Sequence, residues 1–201
     1  MRLPVIKPDE MTARQQEIAA RIAGRRGAVR GPFQVWLNSP ELCERVEALG
    51  AFLRWESSLP LRLRELSLLL AARHFDAQYS WNAHVAKCVE EGIPQAAIDA
   101  IARNEVPRFD NLEDDAFYRF CHELLEEHFV TDETFAGALK FFGPQGLVDT
   151  VGSLGNFSML GMCLNAFQVD LQAGKEPPFP DVKGYARIVD NQVNDVTSER
   201  A

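Results

Sequence analysis

Strand signals are almost missing from this sequence, which has no clear alternation of apolar and polar residues between turn residues. A sheet-based architecture is therefore not expected. Also missing is any unbroken apolar run of about 20 residues, the length needed to cross a bilayer. The start, MRLPVIKPDEM, has no apolar segment of the kind that makes a signal peptide. The expected location is a reducing cytoplasm. Cysteine is sparse: Cys43, Cys88, Cys121 and Cys163 lie too far apart for a zinc or disulfide pattern. Basic charge is outweighed, 21 Lys and Arg against 29 Asp and Glu, for a formal net charge of −8. Nucleic acid and anionic membrane both require a basic face, so neither is an expected partner. A small anionic substrate remains compatible, because it needs only a local cluster of arginines.

What the sequence does have is helical periodicity. Its 201 residues, 46% hydrophobic and 25% charged, suffice for one filled core. A single all-α domain of roughly eight helices is expected over residues 1–174, around a central antiparallel helix pair. The tail, residues 175–201, is rich in proline and charge and then polar. With little to bury on its own chain, it is expected to be loose or held against a neighbouring subunit.

Thr12 and Gln15 have capping-box spacing for a helix from Met11 to Gly24. The cluster Arg21, Arg25, Arg26 and Arg30 near its end reads as a solvated terminus, with phosphate or carboxylate binding as the alternative. After Gly31-Pro32, the residues Phe33, Val35, Trp36 and Leu37 are too apolar for an exposed loop. They are expected to close over a hydrophobic surface, either the mouth of a site or ordinary core. Ser39-Pro40 opens a helix whose Leu42, Val46, Leu49, Leu53 and Trp55 read as a core stripe.

Further on, Asn111 and Thr131 are helix caps, and Gly143-Pro144 is a break. A long helix is expected from Gln145 to Ala173. Its Gly152, Gly155 and Gly161 would allow close packing or leave room for a ligand. Asn156 and Asn165 are polar residues able to face a site. His122 with Glu123, Glu126 and Glu127 does not follow the order of a His-Glu-x-x-His zinc helix, so an acidic solvated face is expected and no metal.

The stretch from Arg64 to Gly92 organises the rest. It reads as two helices joined by a tight corner, the first apolar apart from Glu65 and the second carrying His84 among apolar neighbours. A carboxylate and an imidazole in such positions are disfavoured unless something pairs with them or uses them. Histidine can give and take a proton near neutral pH, and a nearby carboxylate fixes its tautomer and raises its basicity. The competing interpretation is a satisfied core histidine, with Glu65 the buried partner of Arg62 or Arg64.

The second helix has the form Tyr79-x-Trp81-x-x-His84-x-x-x-Cys88, followed by Glu-Gly-Ile-Pro. Together with the run from Gly155 to Asn165, this resembles the carboxymuconolactone decarboxylase family, which includes the alkylhydroperoxidase D-like proteins. The resemblance is clear over Leu59 to Val106 and weaker elsewhere. It implies an alkylhydroperoxidase D-like helical fold, a tendency to form symmetric homo-oligomers, and catalytic roles for His84 and Glu65. Tyr79, Ser80, Trp81, Arg73 and Cys88 would bind or shape the substrate. The peroxidase branch carries a Cys-x-x-Cys pair at the positions of Ala77 and Ser80, so the dithiol is absent from the motif.

Three functions follow from the resemblance. The first is a cofactor-free lyase decarboxylating a small carboxylated lactone or related acid. The second is a peroxide-reducing antioxidant enzyme using Cys88 as a lone nucleophile. The third is a non-catalytic protein that binds a ligand in the same cavity.

Overall fold

The computed structural model describes residues 1–179 and Val182. Among these residues the chain forms a 3-10 turn, Pro8–Glu10, and eight α-helices, with no strand. The helices are α1 (Ala13–Arg26), α2 (Pro32–Trp36), α3 (Pro40–Trp55), α4 (Leu61–His74), α5 (Gln78–Glu90), α6 (Gln95–Ala102), α7 (Leu112–Glu126) and α8 (Asp132–Ala166).

Helix α4 is the axis of the fold. From Leu63 to Arg73 nearly every residue is buried, including Glu65 and Ser67. Helices α3, α5, α6, α7 and α8 all pack on it. A helix apolar on all sides needs neighbours on all sides, and α4 has them. The corner to α5 is tight, with Asp76 at φ 51°. Two contacts from α8 pin it. A Cβ on Gly161 would lie 3.1 Å from the Phe75 Cβ and 3.4 Å from the Ala77 Cβ, so glycine lets the α8 backbone close on the corner. The Asn165 amide donates to the Phe75 carbonyl. Of the other α8 glycines, Gly152 has only an ordinary contact at 3.5 Å and Gly155 faces open space.

Helix starts follow the sequence signals at α1, α7 and α8, where Thr12, Asn111 and Thr131 accept bonds from Gln15, Glu113 and Thr134 amides. Ser39 makes no side-chain cap, although Pro40 occupies the first turn as expected. Helix α8 kinks at Gly143 (φ 61°, ψ 179°) and stops at Ala166, seven residues short of the expected Ala173. The stop is a Schellman closure: Val169 N–H donates to the Leu164 carbonyl at 3.0 Å, and Gln168 N–H to Asn165 at 3.3 Å. The left-handed position is held by Gln168 (φ 50°) instead of glycine, so composition gave no warning. Helix α8 is long and apolar enough to cross a bilayer, but 56% of its apolar window is buried within the protein, as befits a core helix.

The expected core stripe of α3 is corrected. Leu42, Leu49 and Trp55 are 45%, 44% and 46% exposed, and the buried face is Cys43, Val46, Glu47, Ala51 and Leu53. Spacing misled because the inward face carries a charge, Glu47, and a glycine, Gly50, which looks from sequence like an outer face.

Part of the tail has a place on its own chain. Phe179 is 1% exposed, meets Trp81 edge-on at 5.1 Å and lies under the Arg73 guanidinium at 4.4 Å. Apart from Val182, the tail beyond Phe179 lies outside the described residues. Phe179→Ala is expected to lower unfolding free energy by about 3 kcal/mol, the usual cost of emptying a buried aromatic site. Chemical denaturation followed by Trp81 fluorescence measures it, and an unchanged midpoint would contradict this packing.

Candidate active site

Glu65, on the second turn of α4, is 2% exposed. His84, two turns into α5, places Nδ1 at 2.9 Å from Glu65 Oε2. An ionised carboxylate only accepts, so Nδ1–H donates and Nε2 is left with a free lone pair. The competing partners are engaged elsewhere. Arg62 donates to Asp114 at 2.9 Å and also to Glu113. Arg64 donates to the Leu59, Arg54 and Ser57 carbonyls at 2.6, 2.9 and 2.6 Å. Glu65 is thus paired with the imidazole and with neither arginine.

His84 borders a hollow of about 120 Å³, lined also by Arg26, Arg30, Phe33, Trp36, Gly50, Arg54 and Asn156, among others. A cavity of about 150 Å³ accepts benzene, so the hollow has room for the reacting end of a small acid, and the groove that shares Arg30 offers space for the remainder. The apolar segment after Gly31-Pro32 forms its lid: Phe33 and Trp36 meet edge-on at 5.4 Å. Gly31 makes this closure possible. Its backbone sits at φ 57°, and a Cβ there would fall 2.7 Å from the Tyr79 ring.

Three arginines bring positive charge to the hollow. The Arg26 guanidinium lies over the Phe33 and Trp55 rings, at 4.8 and 4.9 Å, and 3.6 Å from the buried Glu47 carboxylate. Burial pushes it below its ordinary pKa, Glu47 opposes this, and Arg54 and Arg25 add to it. Among the described residues, neither Arg30 nor Arg54 has a salt-bridge partner. The basic cluster near the end of α1 therefore divides. Arg21 and Arg25 pair with Glu44 and Glu47, at 2.7 and 3.5 Å, whereas Arg26 and Arg30 face the hollow.

The other residues expected to shape the substrate lie elsewhere. Arg73 is buried, donates to the Ala102 carbonyl at 3.0 Å and to Asp76, and borders a separate 460 Å³ cavity. Tyr79 lines an outer groove of 410 Å³ that shares Arg30 with the His84 hollow. Trp81 and Ser80 are buried in the core, Trp81 against Phe179. Cys88 is fully buried. These positions share α5 or the end of α4 with the dyad but do not line the hollow: Ser80, Trp81 and Cys88, three or four residues from His84, lie a turn away along the same side of α5, where the core covers them. Sequence reasoning missed Arg54 and Gly50. The signal available was a glycine in the middle of an otherwise good helix.

All four cysteines are free and buried. Burial pushes the Cys43 and Cys163 thiols up to about 11, Cys88 up to about 12 and Cys121 well above the usual thiol value. A raised thiol pKa means less thiolate, on the order of 10⁻⁴ of Cys88 near pH 8. Iodoacetamide is expected to leave the folded chain unlabelled while labelling all four thiols after unfolding. Rapid modification of native Cys88, detected by mass spectrometry, would contradict this.

His122 stacks on Tyr118 at 5.3 Å and Glu123 accepts from the Thr131 amide at 2.8 Å, so the acidic helix is engaged in packing and capping. Among the described residues there is no group of three or more side chains placed to hold a metal ion.

The carboxymuconolactone decarboxylase family model matches residues 40–117, a span that contains both Glu65 and His84. No curated protein sequence matches the chain. Solved structures do. The alkylhydroperoxidase AhpD core of an uncharacterized peroxidase-related protein from Ralstonia eutropha JMP134 aligns with TM-score 0.72 at 16% identity, over 86% of this chain and 92% of that one. An uncharacterized peroxidase-related protein from Silicibacter sp. TM1040 aligns with TM-score 0.68 at 17% identity, over 86% and 91%. A putative antioxidant defence protein AhpD of unknown function from Agrobacterium tumefaciens gives TM-score 0.61 at 16% identity, over 72% and 99%. At these identities the likeness is one of fold.

Proposed function

We propose, from the match of residues 40–117 to the carboxymuconolactone decarboxylase family model and from the site geometry, that the chain is a cofactor-free lyase that removes carbon dioxide from a small carboxylated lactone or related acid. The observation that carries this reading is the 2.9 Å Glu65–His84 bond at the edge of a small hollow flanked by three arginines.

The chemistry requires little else. The carbon–carbon bond to the carboxylate breaks, carbon dioxide leaves, and the electron pair remains on carbon, delocalised into the lactone carbonyl. His84 Nε2 first takes a proton from water, giving the imidazolium, and then delivers it to that carbon, which returns the ring to its neutral Nδ1–H form while the hydroxide left behind takes up the carbon dioxide as bicarbonate. Glu65 holds the ring in one tautomer and stabilises the imidazolium while the proton is carried. Arg26, Arg30 and Arg54 draw an acid into the hollow, and the aromatic lid of Phe33 and Trp36 limits water around the reacting carbon.

Peroxide reduction by a dithiol gains no support from the thiols. It needs a low-pKa thiolate and a resolving partner, whereas Ala77 and Ser80 occupy the motif positions and burial holds the four thiols protonated. Incubation with ¹³C-carboxyl-labelled lactone and unsaturated acids tests the reading. Labelled carbon dioxide released without added metal or cofactor is the expected result. Binding of these acids without release would make the protein a ligand binder, and thiol-dependent peroxide consumption would make it an antioxidant enzyme.

A further inference from the structure

Gly50 lies in the interior of α3, where alanine is the better helix former. Its φ lies outside the left-handed range, so its backbone conformation does not call for glycine. A Cβ placed there would meet only two atoms within 4 Å, Arg26 Nη2 at 3.6 Å and Asn156 Nδ2 at 3.7 Å. Both are nitrogen donors, they come from different helices, and both residues line the His84 hollow.

Asn156 is 5% exposed, and its side chain forms no hydrogen bond among the described residues; its Oδ1 is shut off from water without a partner. Arg26 Nε is also buried and makes no hydrogen bond, its ion pair with Glu47 Oε1 being long at 3.6 Å. Buried polar groups are usually satisfied, and a cluster left open beside a cavity marks a place where a ligand completes the bonding: the Arg26 and Asn156 N–H groups call for an acceptor, and Asn156 Oδ1 for a donor such as a hydroxyl elsewhere on the same ligand. Among the described residues Glu47 is the carboxylate paired with Arg25 and Arg26, and Arg54 adds a further positive charge. The imbalance favours an anion.

We propose that Gly50, Arg26 and Asn156 form a carboxylate subsite of the hollow, with Gly50 kept small so that the anion can rest against the α3 backbone. Arg26 donates to one carboxylate oxygen and the Asn156 amide to the other or to the same one. The inference rests on the hollow being the substrate site, and it assigns Arg26 and Asn156 to binding and positioning and Glu65 and His84 to chemistry. Anchoring of this kind is felt in ground and transition states alike, so its loss raises KM more than it lowers kcat.

The probe is acetate, titrated against chloride at matched ionic strength and followed by ¹⁵N NMR of the Asn156 side-chain amide and the Gly50 backbone amide. In the wild-type chain both signals are expected to shift along a saturating curve with acetate and not with chloride. Gly50→Ala is expected to raise the acetate-free Tm by about 3 °C, as a better helix former, while weakening acetate binding at least tenfold. Asn156→Leu, which removes an unpartnered polar group, is expected to remain folded and to weaken acetate comparably. His84→Asn should bind acetate as the wild type does, which separates this subsite from the chemistry. Acetate binding unchanged in both Gly50→Ala and Asn156→Leu would overturn the subsite while leaving the Glu65–His84 reading intact. Signals that shift equally with chloride would also overturn it.

Discussion

His84→Asn is expected to lower turnover about 10³-fold, the range typical for loss of a positioned acid–base group. The choice of asparagine follows from the geometry. Its amide nitrogen takes the place of imidazole Nδ1 and continues to donate to Glu65, while nothing replaces Nε2. The buried carboxylate therefore keeps its partner, and the cost that would follow from stranding it is avoided. Circular dichroism and thermal unfolding should stay close to the wild type. A variant that is folded and fully active would remove His84 from the mechanism.

The second large effect concerns Glu65. Glu65→Gln preserves shape and volume at a site 2% exposed, so packing on α4 is retained. The negative charge is lost, and the amide has two ways to meet the ring. Its oxygen can accept from Nδ1–H, which keeps the tautomer without stabilising the imidazolium. Its nitrogen can donate, which moves the ring proton to Nε2. Either outcome weakens proton delivery, and kcat is expected to fall about 10²-fold with acetate affinity unchanged. Retained kcat would mean that the carboxylate is merely a structural partner of the ring.

Much of this arrangement was legible in the residues, for reasons that differ from place to place. The α4–α5 pair could be seen because an apolar helix bearing one acid and its neighbour bearing one imidazole break the local rule for a core, and such breaks mark either function or strain. Capping signals placed the starts of α1, α7 and α8 because side-chain caps are local. The rest depended on information that is not local. The end of α8 escaped because a glutamine, not a glycine, takes the left-handed position of its closure. The exposed Leu42, Leu49 and Trp55 were read as core because Glu47 and Gly50, on the true inner face, resemble surface residues.

The lining of the hollow was hardest to foresee. Motif neighbours on α5 were expected to share the site with His84, but Ser80, Trp81 and Cys88 lie a full turn along the helix from it, and Tyr79, five residues away, leaves the helix on another side. Trp81 and Ser80 turn into the core, and Tyr79 turns toward the outer groove. The arginines come instead from the end of α1, the loop before α2 and the last turn of α3. Their convergence is a property of packing across α1, α2, α3 and α8, which no single stretch of sequence displays.

The central claim is that Glu65 holds His84 with its proton on Nδ1, leaving Nε2 free for transfer. ¹⁵N NMR of the imidazole measures this directly. A neutral ring protonated at Nδ1, with an unprotonated Nε2 whose signal responds to acids entering the hollow, is the predicted result. A neutral ring protonated at Nε2 would contradict it.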